Sequence, residues 1–221
     1  MTQKYAVVDL ETTGFEPGFD RIIEVAIIIT DGHNILQTYE TLINPGRNIP
    51  ESITALTGIT QSDVDRAPKF RHVAQDILEI ITGTLMVAHN ASFDYRFLNW
   101  EFGRLGIPFD KEYLCTMTLS RRIFPGLKSY ALDKITAHLG INMMCHHNAM
   151  SDALAAADIL KRVLDHERGP EQVILRIKGR SPPICEGTYA SGKSKGRRCK
   201  YKAKVLKSDH WYCLTHAKKA T

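Results

Sequence analysis

Asp9 and Glu11 stand two positions apart at the polar end of AVVDLETTG, residues 6–14. Alternate residues of a β-strand project from the same face, so their carboxylates converge if the strand persists through Glu11. Carboxylates held close repel each other, and a shared proton or a hard, oxygen-liganded cation such as Mg²⁺ or Mn²⁺ relieves the repulsion. A strand that ends at Asp9, with both groups in water, accounts for the pair without any chemistry. A second group follows in VAHNASFD, residues 87–94, where an apolar strand runs into His89, Asn90 and then Asp94 at the start of a helix. Functional groups collect at such strand-to-helix turns, although a first-turn acid also suits the helix dipole on its own. The third group, HHNAMSDALAAAD at 146–158, places His147 and Asp152 five residues apart across the entrance of a long helix. An imidazole is suited to taking a proton from water near neutral pH, and His146 competes with His147 for that role.

Apolar elements must hold these groups in place. Residues 4–10 and 21–30 read as strands joined by the Gly- and Pro-bearing turn TTGFEPGFD, and 34–43 as a third strand before NPGRNIP breaks it. The spacing of Phe70, Val73, Ile77, Ile80 and Ile81 predicts a covering helix. Residues 84–88 then read as a buried strand, 92–102 as a helix started by a serine cap, and 116–124 and 130–139 as two shorter helices. Ala and Leu dominate 149–166, with basic residues late, which predicts the strongest helix of the chain. Strands first, then alternating helix and strand, then a long closing helix imply a mixed sheet with helices packed on it.

The 221 residues suffice for one α/β domain and a small appendage, and 43% hydrophobic with 24% charged residues is a globular composition. No stretch approaches the about 20 apolar residues that cross a bilayer, and the start lacks the features of a secretory signal, so no membrane partner and a cytoplasmic location are expected. Five cysteines without an export signal read as reduced thiols or metal ligands rather than a disulfide framework. The net charge of +5 is uneven, because residues 180–221 carry +9 and residues 1–179 carry −4. Two modules and a linker are expected: a body at 1–167, a linker at 168–183 and a basic module at 184–221. Within the last, Cys185, Cys199, Cys213 and His216 end in a tight C-x-x-H and offer the three thiolates and one imidazole of a structural Zn²⁺ site, with His210 as a spare. So polar a segment has little core of its own, and a metal would supply folding energy that burial cannot. A solvated basic tail with incidental cysteines is the alternative. Its Lys and Arg residues, interleaved with Tyr189, Tyr201, Trp211 and Tyr212, suit phosphate contacts and base stacking.

Taken together, Asp-x-Glu, then Asn-x-x-Phe-Asp, then His-x-x-x-x-Asp resembles the DEDD superfamily of 3′→5′ exonucleases, His-containing subgroup, and in particular the proofreading exonucleases of the DNA polymerase III epsilon type. DLETTG, LTGIT at 56–60, AHNASFD at 88–94, FLNWEFGRLGIPF and LCTMTLSRRIFPGLKSYALDKI carry the likeness, which covers roughly residues 4–166. The tail is similar to small Cys3His modules with a KGRRCK…WYCLTH layout.

The exonuclease resemblance implies a ribonuclease H-like α/β fold with a mixed five-stranded sheet flanked by helices. It implies that Asp9, Glu11, Asp94 and Asp152 are the four acids and His147 the general base. Asp9 would bridge two divalent ions about 4 Å apart, with Glu11 and Asp152 completing one site and Asp94 acting at the other. It further implies that Thr12, Thr13, Gly14 and Glu51 line the pocket of the 3′-terminal nucleotide, with Phe93 beside it. Thr57 departs from the pattern, standing where epsilon subunits place a histidine. The implied reaction is metal-dependent release of nucleoside 5′-monophosphates from a 3′ end, DNA being favoured as substrate. An RNA-trimming relative and a non-catalytic nucleic-acid-binding protein are the rivals. No polymerase-binding segment is legible.

Overall fold

The hydrophobic run and the two acids belong to one strand, β1 (Tyr5–Thr12), which continues past Asp9 through Glu11. The computed structural model describes residues 3–143, 147–166, 205–207 and 210–212. The cysteines and histidine expected to bind zinc (Cys185, Cys199, Cys213 and His216), the linker at 168–183, and His146 lie outside the described residues. The chain divides into two compact units, Met1–Lys178 and Gly179–Thr221.

In the first unit, β2 (Ile22–Thr30) pairs antiparallel with β1 and with β3 (Ile35–Leu42), so the three strands that open the chain form a meander. On the other side of β1, β4 (Leu85–Ala88) and then β5 (Tyr113–Cys115) pair parallel, giving the order β3-β2-β1-β4-β5. The mixed five-stranded sheet is therefore present, although β5, at three residues, is too short to carry a periodic signal.

Alternation in β1 sends Ala6, Val8 and Leu10 to one face, where α3 (Phe70–Ile81) and α4 (Ser92–Arg104) cover them. Tyr5 and Val7 face the other layer, built from α5 (Thr116–Ile123), α6 (Leu132–Leu139) and α7 (Ala149–Leu164). With helices on both faces, β2 is buried at all nine positions. Ala149, Ala153 and Ala156 are fully buried on the inner side of α7, and their small side chains let it lie close to the sheet. Ser92 is the first helical residue of α4 and not its cap; Ala91 caps it with no side-chain hydrogen bond. Two short helices, α1 (Glu51–Thr57) and α2 (Gln61–Asp65), pack through Ile53, Ile59 and Val64 against Ile23. Among the described residues no helix is long and apolar enough to cross a membrane.

In the second unit, β6 (Val205–Lys207) pairs antiparallel with β7 (His210–Tyr212), with Leu206 opposite Trp211.

Candidate active site

Pairing between β1 and β4 stops at Val7 opposite Val87, so residues 9–12 of β1 run on beyond the end of their parallel neighbour. That leaves an open edge at the carboxyl ends of the parallel strands, the crevice where ligands bind in such sheets. Asp94, in the first turn of α4, fills it: its carboxylate accepts the Leu10 N–H and its own, and it is 3% exposed. Asp9 and Glu11 share the β1 face that looks toward α7, opposite Ala26 and Glu24 of β2. A bulge follows, with Glu11 opposite Glu24 but Thr12 opposite Ile22, which turns the chain away from the ladder.

The third group arrives on α7. Asn148 caps this helix by accepting the Ser151 N–H at 3.0 Å, and Asp152 lies in its first turn. His147 just before the cap has φ +59°, and Asn90 beside Asp94 has φ +68°; among the described residues these are the two non-glycine residues with positive φ. Both line the site, as left-handed residues tend to where backbone geometry aims a side chain.

Asp9, Glu11, Asp94, His147 and Asp152 line a single cavity of about 310 Å³. Within it, one ligand atom each of Glu11, His147 and Asp152 lie within 4.8 Å of one another. The electrostatics match a cation site. Burial, followed by the charges of Asp94, Asp152, Glu11 and Glu24, holds the Asp9 carboxyl well above the usual carboxylate range. Burial and the charges of Asp152 and Glu24 push Glu11 up to about 8. Asp94 is likewise raised, chiefly by burial, against the lowering effect of its two backbone N–H bonds. Oxygen donors so crowded that they resist ionisation are the donor set a hard divalent ion favours.

The rest of the wall comprises Leu10, Thr12, Phe15, Ile53, Leu56, Thr57, His89, Asn90 and Phe93. Thr12 and Phe93 thus reach the cavity, while Thr13, Gly14 and Glu51 are not among its lining residues. The Thr13 hydroxyl donates to Asp20 Oδ1 at 3.2 Å and accepts the Arg21 N–H at 3.1 Å. A Cβ at Gly14 would come within 2.5 Å of the Asp20 carboxylate, so this position shapes the loop. Glu51 is exposed at the start of α1. The Thr57 hydroxyl is bound inside its own helix end, donating to Ile53 O at 3.0 Å and accepting the Ile59 N–H at 3.1 Å. His89 bridges Thr116 Oγ1 at 2.8 Å and Tyr130 O at 2.9 Å, and burial keeps its pKa below the ordinary value.

Sequence reasoning missed four contributors. Ile53 and Leu56 sit on a helix of seven residues, and Phe15 lies in a stretch that reads as turn. Glu24 is the fourth: 6% exposed, it accepts the Ala149 N–H at 3.0 Å. A lone acid inside the apolar run RIIEVAIIIT was its signal.

A mixed five-stranded sheet with helices on both faces and an acid-lined crevice beyond its parallel strands is a ribonuclease H-like architecture. The family model described as "Exonuclease" (RNase_T) matches residues 6–160, and the chain belongs to that family. A DNA polymerase III PolC-type from Clostridium perfringens is 37% identical over 158 residues, 72% of this chain and 11% of that protein. The DNA polymerase III subunit epsilon of Aquifex aeolicus is 35% identical over 162 residues, 73% of this chain and 80% of that one. A "3'-5' exonuclease DinG" from Bacillus subtilis is 34% identical over 168 residues, 75% of this chain and 18% of that protein. The chain thus spans about an eighth of the PolC-type relatives it matches. Among solved structures, "Exonuclease X in complex with 5' overhanging duplex DNA" is similar with a TM-score of 0.63 and 28% identity, covering 79% of this chain and 99% of that one.

Proposed function

We propose that the chain is a metal-dependent 3′→5′ exonuclease that takes DNA in preference to RNA and releases nucleoside 5′-monophosphates. The observation that carries this reading is the convergence of four acids and a histidine, from β1, α4 and the entrance of α7, on one cavity. Membership of the exonuclease family supports it.

In this reading Asp9, Glu11, Asp94 and Asp152 hold two divalent ions, Mg²⁺ or Mn²⁺. When bound, the ions supply Lewis acidity at the phosphodiester and charge compensation at the leaving 3′-oxygen. His147, exposed at the lip, takes the proton of the attacking water as the new oxygen–phosphorus bond forms and the bond to the 3′-oxygen breaks. Ile53, Leu56, Phe15 and Phe93 offer apolar surface to the terminal sugar and base, with Thr12 at the same wall. Thr13 and Gly14 serve by holding the loop that presents Phe15, and Glu51 acts from the start of α1. In the tail, Cys185, Cys199, Cys213 and His216 would hold a structural zinc, and the basic residues of the same segment would bind nucleic acid. The protein works in the cytoplasm, with no membrane partner.

The test is digestion of 3′-labelled DNA and RNA strands of one sequence with Mg²⁺ or Mn²⁺. Faster mononucleotide release from DNA is expected. Faster release from RNA would make the chain an RNA-trimming relative, and no release from either would leave a nucleic-acid-binding protein.

A further inference from the structure

We propose that a track for single-stranded nucleic acid leaves the active-site cavity over the loop from Phe15 to Arg21 and the Arg96–Trp100–Arg104 face of α4. It ends in a cationic pocket formed by Arg21, Lys69, Arg71 and Arg104. The proposal rests on the exonuclease reading and extends it to the strand behind the terminal nucleotide.

Phe15 joins cavity and track. It lines the active-site cavity yet is 69% exposed, and its carbonyl accepts Arg96 Nη2 at 3.1 Å. Residues 96, 100 and 104, four apart, form one stripe along α4. Beyond Phe15 come Phe19, 82% exposed, and Trp100, 45% exposed; these three are the exposed Phe and Trp side chains of the described residues. They gather although the loop is not loose. The Asp20 carboxylate accepts the Glu16 N–H at 3.0 Å and the Thr13 hydroxyl at 3.2 Å, and Arg47 binds the Phe19 carbonyl. Gly18, at φ +100°, lies so near the indole that a Cβ there would be 3.1 Å from Trp100 Cζ2. Exposed rings carried on a loop and helix held in this way offer a sequence-tolerant stacking platform.

The pocket at the far end measures about 350 Å³. Arg21 donates from Nε and Nη2 to the Glu101 carboxylate at 2.5 and 3.0 Å, and Arg104 Nη1 donates to the same group at 3.1 Å. One carboxylate, 2% exposed, therefore serves two guanidinium groups and cannot neutralise four cations. Lys69 and Arg71, on the same pocket wall, have no ion-pair partner among the described residues. Residues 1–179 carry −4 overall, so the cluster is not a by-product of a basic body. A guanidinium fork held by a buried carboxylate, with its remaining N–H groups turned to a cationic pocket, suits a phosphodiester. Asp94 and Glu101 lie seven residues apart on one face of α4, about 10 Å along its axis. The pocket therefore takes a phosphate of the strand behind the terminal nucleotide.

The experiment uses the full chain in an Asp9→Ala background, so that binding is read without cleavage, and fluorescein-labelled dT12, dT3 and a blunt duplex. Phe19→Ala/Trp100→Ala should raise the Kd for dT12 about tenfold or more, with little change on dT3 or duplex. Lys69→Glu/Arg71→Glu should raise the same Kd and lower the slope of log K against log salt by about 1.4, two phosphate contacts' worth on a single strand. Either pair leaving the Kd for dT12 unchanged, or shifting dT3 as much as dT12, overturns the track. Failure of the exonuclease reading would show separately, as absence of mononucleotide release by the unsubstituted chain.

Discussion

The backbone amide of Ala149, first residue of α7, donates to Glu24 Oε2 at 3.0 Å. Glu24 lies opposite Glu11 on the adjacent strand, so a single hydrogen bond ties the helix that carries Asp152 to the strand beside the one that carries Asp9 and Glu11. Its carboxylate also adds negative charge next to Asp9 and Glu11, and burial holds its own pKa above the usual carboxylate range.

Glu24 is therefore a positioning residue. Glu24→Gln keeps an oxygen for the Ala149 N–H and should retain most activity. Glu24→Ala orphans that buried donor, costing about 1–3 kcal/mol of stability, and should lower kcat by about 10- to 100-fold. Thermal unfolding and single-turnover rates on one oligonucleotide separate the two effects. Equal loss in both variants would mean that the charge, and not the hydrogen bond, matters.

Stability should depend on pH in a sense set by Glu11, whose carboxyl moves from an ordinary 4.5 to about 8 in the folded chain. Between those values the folded state keeps a proton that the unfolded chain has released, so stability falls as pH rises through the window. Asp9 and Asp94, also raised, act in the same sense. The metal-free protein should lose several degrees of Tm between about pH 5 and pH 8.5, since about 1 kcal/mol moves a chain of this size by about 2–4 °C. Saturating Mn²⁺ should remove most of that fall, and Glu11→Gln should make it shallower. A Tm rising over the same range without metal would mean that the fold does not hold these carboxyls protonated.

His147 lies within metal-ligand reach of Glu11 and Asp152, which leaves base and ligand to be told apart. As general base, its loss in His147→Ala should lower kcat by about 10²- to 10⁴-fold with the Mn²⁺ midpoint unmoved. A midpoint shifted tenfold or more, measured by calorimetric titration, would make it a ligand.

Most of this arrangement can be read from the residues themselves. β1, β2, α3 and α7 announce themselves because long periodic runs leave no other way to bury Val7, Ile27, Ile77 and Ile159. Asp9 and Glu11 are legible as a pair because strand alternation fixes their common face. The three-residue β5 and the short α1 and α2 are set by tertiary packing against Met86, Val87 and Ile23, which no local spacing reports. For the same reason Ile53 and Leu56 went unnoticed as cavity wall. Phe15 and Phe19 left a trace, since two phenylalanines in a Gly- and Pro-bearing turn have nothing obvious to bury them. Glu24 left another, as the one charge in a strand buried at every position.

The basic tail gives an independent prediction. Deleting residues 180–221 removes +9 of charge and should leave turnover of short oligonucleotides intact while weakening binding to long ones and flattening its salt dependence. Unchanged affinity and slope for long strands, measured by fluorescence anisotropy, would assign the tail some other task.

β1, α4 and α7 bring their acids together in one crevice, and the proposed outcome is cleavage of a phosphodiester at a 3′ end. The most direct measurement is mononucleotide release from 3′-labelled DNA by the unsubstituted chain and by Asp9→Ala, each with and without Mn²⁺. Release that requires the metal and vanishes in Asp9→Ala is the predicted result. Release that survives the substitution, or proceeds equally well in excess chelator, would contradict it.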